Sequence, residues 1–134
     1  MFNFASMRNT FGKQEKLKKK NLIAELFASG KSTSVFPLKM IYLQKDHDSP
    51  YKIQAGVSVS KRNFKSAVDR IRIKRLMRES YRKNKYLIYN NEDTKKHILM
   101  FIYQAKNEVS YELMEEKMIQ LIEKFLQKQK LQAK

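Results

Sequence analysis

Ser66-Ala67-Val68-Asp69-Arg70-Ile71-Arg72-Ile73-Lys74-Arg75-Leu76-Met77-Arg78-Glu79-Ser80-Tyr81-Arg82 sets six basic residues against two acids. At about 100° per residue, Ile73, Leu76, Met77 and Ser80 gather around one direction, with Tyr81 at the edge. Lys74, Arg75, Arg78 and Arg82 gather around the opposite one. Arg72 lies beside that row and Arg70 near the boundary. The spacing predicts a helix from about Ser66 to Tyr86 with one face for a core and one for an anion. Val68 and Ile71 are out of place, since both project to the arginine side. Val68 is read as packing at the helix entrance.

From Ser60 to Tyr86 eleven Lys or Arg stand against Asp69 and Glu79, so this stretch carries +9 of the chain's +16. A merely solvated face has no reason to prefer Arg in its central row or to lack acids. The planar guanidinium fork matches phosphate oxygens. A pI near 10 leaves nucleic acid or an anionic membrane as partner. One domain of 134 residues needs the apolar helix face for its own core, so nucleic acid is the preferred partner. No membrane partner and no small-molecule substrate are expected.

Working outward, Lys16 to Ser29 reads as a first helix, with Leu22, Ile23, Leu26 and Phe27 as its stripe and Gly30 at its end. Lys18, Lys19 and Lys20 occupy its start, where the helix dipole disfavours cations and an anionic partner is hinted at. Val35 to Leu43 and Tyr51 to Val59 read as strands, the first with Pro37 as an edge or bulge signal. Asp46-His47-Asp48-Ser49-Pro50 is read as the hairpin connection between them, a polar turn in preference to a metal site. His97 to Gln104 is a near-continuous apolar run, the pattern of a central strand. Ser110 caps a last helix striped by Met114, Met118, Leu121, Ile122 and Phe125. Residues 1–12 are expected to form a tail or strap, residues 13–127 the domain, and residues 128–134 a frayed basic end. The fold class is α+β, a single small domain with helices packed on a central mixed sheet, in the order α-β-β(-β)-α-β-α.

No catalytic residue stands out. The two histidines have no carboxylate pair to serve them, and there is no cysteine and no glycine-rich phosphate loop. No metal is expected to be held by the protein alone. The absence of an apolar span or secretory signal leads to an expected cytoplasmic location.

Ala67 to Glu79 resembles the arginine-rich signature helix of the bacterial ribonuclease P protein component. Gly56-Val57-Ser58-Val59-Ser60-Lys61-Arg62 is similar to the strand and loop that lead into it. Leu17-Lys18-Lys19 and Leu26-Phe27-Ala28-Ser29-Gly30-Lys31-Ser32 are similar to the family's first helix and its exit. The likeness covers roughly residues 13–125.

The resemblance implies the small subunit of a ribonucleoprotein endonuclease that removes the 5′ leader from precursor tRNA. It implies cleavage by the catalytic RNA with Mg2+ bound mainly by that RNA, and a protein inactive alone. It also implies a left-handed crossover in the fold. Carried over by position, Lys61, Arg62, Arg70, Arg72, Lys74, Arg75 and Arg78 would contact the catalytic RNA, and Arg82 extends the same row. Phe27, with Lys18 and Lys19, would hold the single-stranded leader. Without the family, Phe27 reads as core.

Two positions depart from the family. Ile71 stands where asparagine is usual, and Ile23 where a second cleft aromatic is common. Ile71 either packs under Phe2 and Phe4 or touches a sugar or base of the RNA. The first dozen residues lie outside the likeness, and Met7 is an alternative start. The rival reading is a ribosomal protein or assembly factor. A DNA-binding regulator is disfavoured because two strands separate the first helix from the basic one. A protein-only nuclease wants clustered carboxylates for metals.

Overall fold

In the computed structural model, which describes residues 11–132, the apolar run of the sequence becomes the strand around which everything is arranged. The elements are α1 (Lys20–Ser29), β1 (Lys31–Val35), β2 (Leu38–Gln44), β3 (Ile53–Val59), α2 (Ala67–Asn84), α3 (Tyr86–Tyr89), β4 (His97–Tyr103) and α4 (Tyr111–Gln132). A 3₁₀ turn at Lys13–Glu15 precedes them. The four strands form one sheet in the order β1-β2-β4-β3. β4 runs antiparallel to β2 and parallel to β3. The result is a single α+β domain on a mixed sheet.

Both faces of β4 are covered, which is why its sequence shows no polar alternation. Leu99, Phe101 and Tyr103 join Leu38, Met40, Ile53, Ile73, Met77, Met118 and Phe125 in the larger core, beneath α2 and α4. Ile98 and Met100 face the other way, against Leu17, Leu22 and Leu26. Parallel neighbours cannot be joined by a tight turn. The chain therefore leaves β3, crosses the sheet through α2 and returns as β4.

Several expectations change. The strand expected from Val35 to Leu43 is β2 with only the last residue of β1; the chain reverses at Phe36-Pro37, whose peptide bond is cis, and the rest of β1 lies before the expected start. Pro37 marks a turn, not an edge or bulge. The Asp46–Pro50 segment does not close a hairpin, because β4 inserts between β2 and β3. The most apolar strand takes the central place, where it loses the most water contact.

The first helix begins at Lys20 rather than Lys16. Lys16 instead forms a bridge to Ala55, and the Leu17 N–H donates to the Ala55 carbonyl at 2.9 Å. β3 is an edge strand whose outer groups need partners, and this segment supplies them. The last helix does not fray near Gln127. It runs to Gln132 and buries Gln129. The ammonium groups of Lys124 and Lys128 reach the Ser34 and Ser32 carbonyls on the outer edge of β1, at 2.9 and 3.4 Å.

Local signals hold where they are local. The Ser110 hydroxyl accepts from the Leu113 N–H at 3.2 Å and caps α4. Ser66 caps α2 over the longer distance of 3.5 Å to the Asp69 N–H. Gly30 closes α1 by donating to the Leu26 carbonyl. A side chain there would collide with that same oxygen and with Ile41. The position needs glycine for space and not for its φ, which is an ordinary −73°.

Candidate nucleic-acid interface

α2 is amphipathic as its spacing predicts. Ile73, Met77, Ser80, Tyr81 and Asn84 are buried. Arg72, Arg75 and Arg78 are exposed, while Lys74 and Arg82 are half-buried. Val68 does not pack at the entrance: it is 66% exposed, and Ile71 is 54% exposed. The suggested cover for Ile71, Phe2 and Phe4, lies outside the described residues.

The basic residues divide by what they touch. Arg70 donates through Nη1 to the Phe64 and Lys65 carbonyls at 2.7 and 2.9 Å. It clamps the approach loop onto the helix that follows. Arg72 pairs with Glu108 at 2.8 Å and with Asp69 at 3.4 Å. Arg82 pairs with Glu79, which lowers the carboxyl pKa chiefly through the hydrogen bond and raises that of the guanidinium. Lys61, Arg62, Lys74, Arg75 and Arg78 have no ion pair among the described residues. Four of these five are exposed, and Arg62 is held at the end of β3 by its N–H bond to the Ser60 hydroxyl at 3.0 Å. They form the cationic surface left open to an anion.

The entrance to α1 meets this surface. A groove of about 210 Å³ is lined by Phe11, Lys16, Leu17, Lys18, Ile23, Gly56, Val57, Arg78 and others. Lys18 and Arg78 thus share one groove, although they stand on different elements. Lys19 turns aside to pair with Asp48 at 2.9 Å, which lowers the pKa of that carboxyl. Phe27 is 51% exposed, one turn beyond Ile23, so the core reading of Phe27 is wrong. Leu22 and Leu26 supply the buried stripe without it.

One cluster had no signal in the sequence. Glu15 and Lys85 are 3% and 2% exposed. The Lys85 ammonium donates to both Glu15 oxygens at 2.8 and 2.7 Å, and the Tyr89 hydroxyl donates to Oε2 at 2.6 Å. Burial, with the Glu15 charge beside it, keeps the Tyr81 hydroxyl protonated far above its ordinary range. Phe11 stacks edge-on against Tyr81 with centroids 5.5 Å apart. These interactions pin residues 11–17 under the end of α2 and so place Lys16 and Lys18. Nothing local in the sequence links positions seventy residues apart.

The histidines serve the fold. His47 is 5% exposed, with Nε2 3.2 Å from the Lys52 carbonyl, and His97 is 1% exposed, with Nδ1 2.6 Å from the Lys95 carbonyl. Burial is the main cause that lowers both pKa values. Asp48 is spent on Lys19, and His47 is turned into the protein. Among the described residues no three His, Cys, Asp or Glu side chains stand together to hold a metal ion. No helix among them is long and apolar enough to cross a membrane.

The family model for Ribonuclease P matches residues 11–126. A relative named Ribonuclease P protein component in Porphyromonas gingivalis is 44% identical over 82 residues, 59% of each chain. One of the same name in Chlorobium phaeobacteroides is 43% identical over 84 residues, 60% of this chain and 58% of that one. The chain thus spans about 59% of the length of the curated relatives it matches. Among solved structures, the RNase P protein from Thermotoga maritima superposes with a TM-score of 0.67 at 23% identity, covering 82% of this chain and 96% of that one. The Staphylococcus aureus RNase P protein gives 0.64 at 18% identity, covering 81% and 93%. At these identities the structural likeness concerns the fold.

Proposed function

The chain belongs to the ribonuclease P protein family, and on that premise we propose that it is the protein subunit of a ribonucleoprotein that removes the 5′ leader from precursor tRNA. The observation that carries the reading is the run of open cations on α2 and its approach loop. Lys61, Arg62, Arg75 and Arg78 are exposed and unpaired among the described residues, on a protein of +16. Phosphates of the catalytic RNA would take the place of the missing acids, releasing counterions as they do so.

The groove shared by Lys18 and Arg78 would receive the single-stranded leader, with Phe27 offering an exposed ring for a base. Ile23 cannot stack as an aromatic does, so this groove would grip the leader less by stacking and more by charge. Arg70 and Arg72 contribute differently from the open row. Arg70 holds the loop that presents Lys61 and Arg62, and Arg72 must leave Glu108 to reach a phosphate.

The protein's part is to bind and orient. No carboxylate cluster suited to a metal is present among the described residues. In this reading the magnesium belongs to the RNA, and no step of the chemistry passes through a protein side chain. The site of action would be the cytoplasm, where precursor tRNA is made.

The test is reconstitution. RNA-free protein in magnesium should leave precursor tRNA intact, and adding the partner RNA should yield the mature 5′ end. The RNA that co-purifies from cells should be one structured species together with tRNA precursors. Recovery of ribosomal RNA alone would overturn the reading.

A further inference from the structure

The loop before β3 and the short α3 meet around a cavity of about 430 Å³ lined by Pro50, Tyr51, Lys52 and Tyr89. None of these residues takes part in the cationic face or the groove. Tyr51 is 38% exposed, so its ring reaches solvent. Its centroid lies 6.5 Å from that of Tyr89, with the planes inclined at 52°.

The cavity is built in advance. The Tyr89 hydroxyl is fixed on Glu15, and the Lys52 ammonium donates to the Tyr89 and Asn91 carbonyls at 3.4 and 2.9 Å. Two of its three protons are thereby used and one remains, with the charge held at the cavity. Burial lowers the Lys52 pKa, and the nearby Glu92 carboxylate opposes that shift. The loop carrying Tyr51 is stapled as well. Lys96 donates to the His47 and Ser49 carbonyls at 3.2 and 2.8 Å, and the Tyr51 N–H donates to the Ser49 hydroxyl at 3.1 Å. Surface connections are ordinarily the mobile part of a domain. This one carries three hydrogen bonds between side chains and its backbone.

An apolar wall of two rings with one fixed cation suits a ligand that has a flat ring and a negative charge. Cavities of roughly 300 Å³ upward accept small organic ligands. The surroundings narrow the class. α3 follows α2 after the single residue Lys85, and Glu15 ties Tyr89 to the segment that carries Lys16 and Lys18 toward the groove. The cavity thus stands at the start of β3, whose other end leads to Lys61 and Arg62, and its Tyr89 is tied to Glu15, one residue before Lys16.

We propose that this pocket seats one unpaired nucleotide of the bound RNA, its base against Tyr51 and its phosphate toward Lys52. The proposal rests on the reading of the chain as an RNA binder. It adds a second stacking site, apart from the ring that Phe27 offers on α1. Stacking tolerates any base, so no sequence preference is expected from the pocket.

The experiment uses the full chain and single-stranded RNA oligonucleotides carrying one 5-iodouridine, crosslinked by light and mapped by mass spectrometry. A crosslink at Tyr51 is expected. Tyr51→Ala should weaken oligonucleotide binding about fivefold or more, as the loss of one base–aromatic stack does, while Tyr51→Phe should bind as the wild type. Unchanged melting temperatures would show that the side chain, not the fold, was lost. Repeating the crosslink with labelled leader and with labelled partner RNA assigns the nucleotide to one or the other. Binding that depends on Arg78 but ignores Tyr51, with no crosslink there, overturns the pocket and leaves the proposed function standing. If no RNA binds and Arg75→Ala and Arg78→Ala change nothing, both readings fall together.

Discussion

Lys85 and Arg78 lie seven residues apart on the same helical stretch, and their surroundings differ completely. Lys85 is 2% exposed and its ammonium is held by both oxygens of Glu15. Arg78 is exposed in a groove and has no ion pair among the described residues. A buried charge loses its hydration and must find a partner in the protein. An exposed charge keeps its water and remains available to a ligand. The chain thus separates cations that hold the fold from cations left open to a ligand. Arg70 and Arg72 stand between the two, tied to carbonyls and acids yet still at the surface.

The sharpest way to break this comparison is to remove one member of the buried pair. Glu15→Ala or Lys85→Met should each cost about 3–5 kcal/mol, because either leaves a buried charge without its partner. Urea denaturation of the two variants checks it. Replacing both by methionine should recover much of the loss, since a packed apolar pair is often no less stable than a buried ionic one. A single Lys85→Met variant as stable as the wild type would erase the distinction between the two cations.

A smaller effect is expected from acid. Burial lowers the pKa of His47 and His97 below the ordinary 6.5. The unfolded chain therefore takes up these protons first as pH falls. Stability should be full above about pH 6.5 and decline below it as pH drops toward the folded-state values. Replacing His97 by glutamine should flatten that decline. Melting curves between pH 7.5 and about 5 measure it, and a slope that persists in a variant lacking both histidines would assign it elsewhere.

The open cations should barely register in stability. Arg75→Ala and Arg78→Ala should each stay within about 0.5 kcal/mol of the wild type. Each should nonetheless weaken RNA binding and reduce the slope of log affinity against log salt by about 0.7–0.9 for every phosphate no longer neutralised. A marked fall in melting temperature with unchanged RNA affinity would mean that the faces of α2 are reversed.

Least of all should happen to the fold with Ile71→Asn. A side chain this exposed predicts a change within about 0.5 kcal/mol. The substitution matters only if the RNA meets Ile71. Equal stability with altered RNA affinity would place a ribose or base against that isoleucine.

How much of this was legible follows from the range of each interaction. α2 could be read from its spacing because amphipathicity repeats within a few residues, and Ile73, Met77 and Arg78 fell on the faces expected. The cap at Ser110 and the closing glycine at Gly30 are equally local. Phe27 was misjudged as core by periodicity because Leu22 and Leu26 already fill the stripe beside it. Val68 was misjudged because a single apolar residue at a helix entrance carries no sign of what lies opposite. The turn at Phe36-Pro37 was half visible, since the proline marked an interruption without saying that the chain reversed there.

By itself the sequence determined the composition of the surface and of the core: a basic helix with one apolar side, an apolar central strand, a capped last helix and a charge that demands an anion. These follow from periodicity and net charge, which need no knowledge of neighbours in space. Only the tertiary structure decided that β4 separates β2 from β3, that residues 13–17 cover the edge of β3, and that Glu15 reaches Lys85. Each of these depends on which distant groups can satisfy a carbonyl, a charge or an apolar face at the same time. That choice is settled by packing the whole chain, because a buried donor or charge is tolerated only where its partner also arrives.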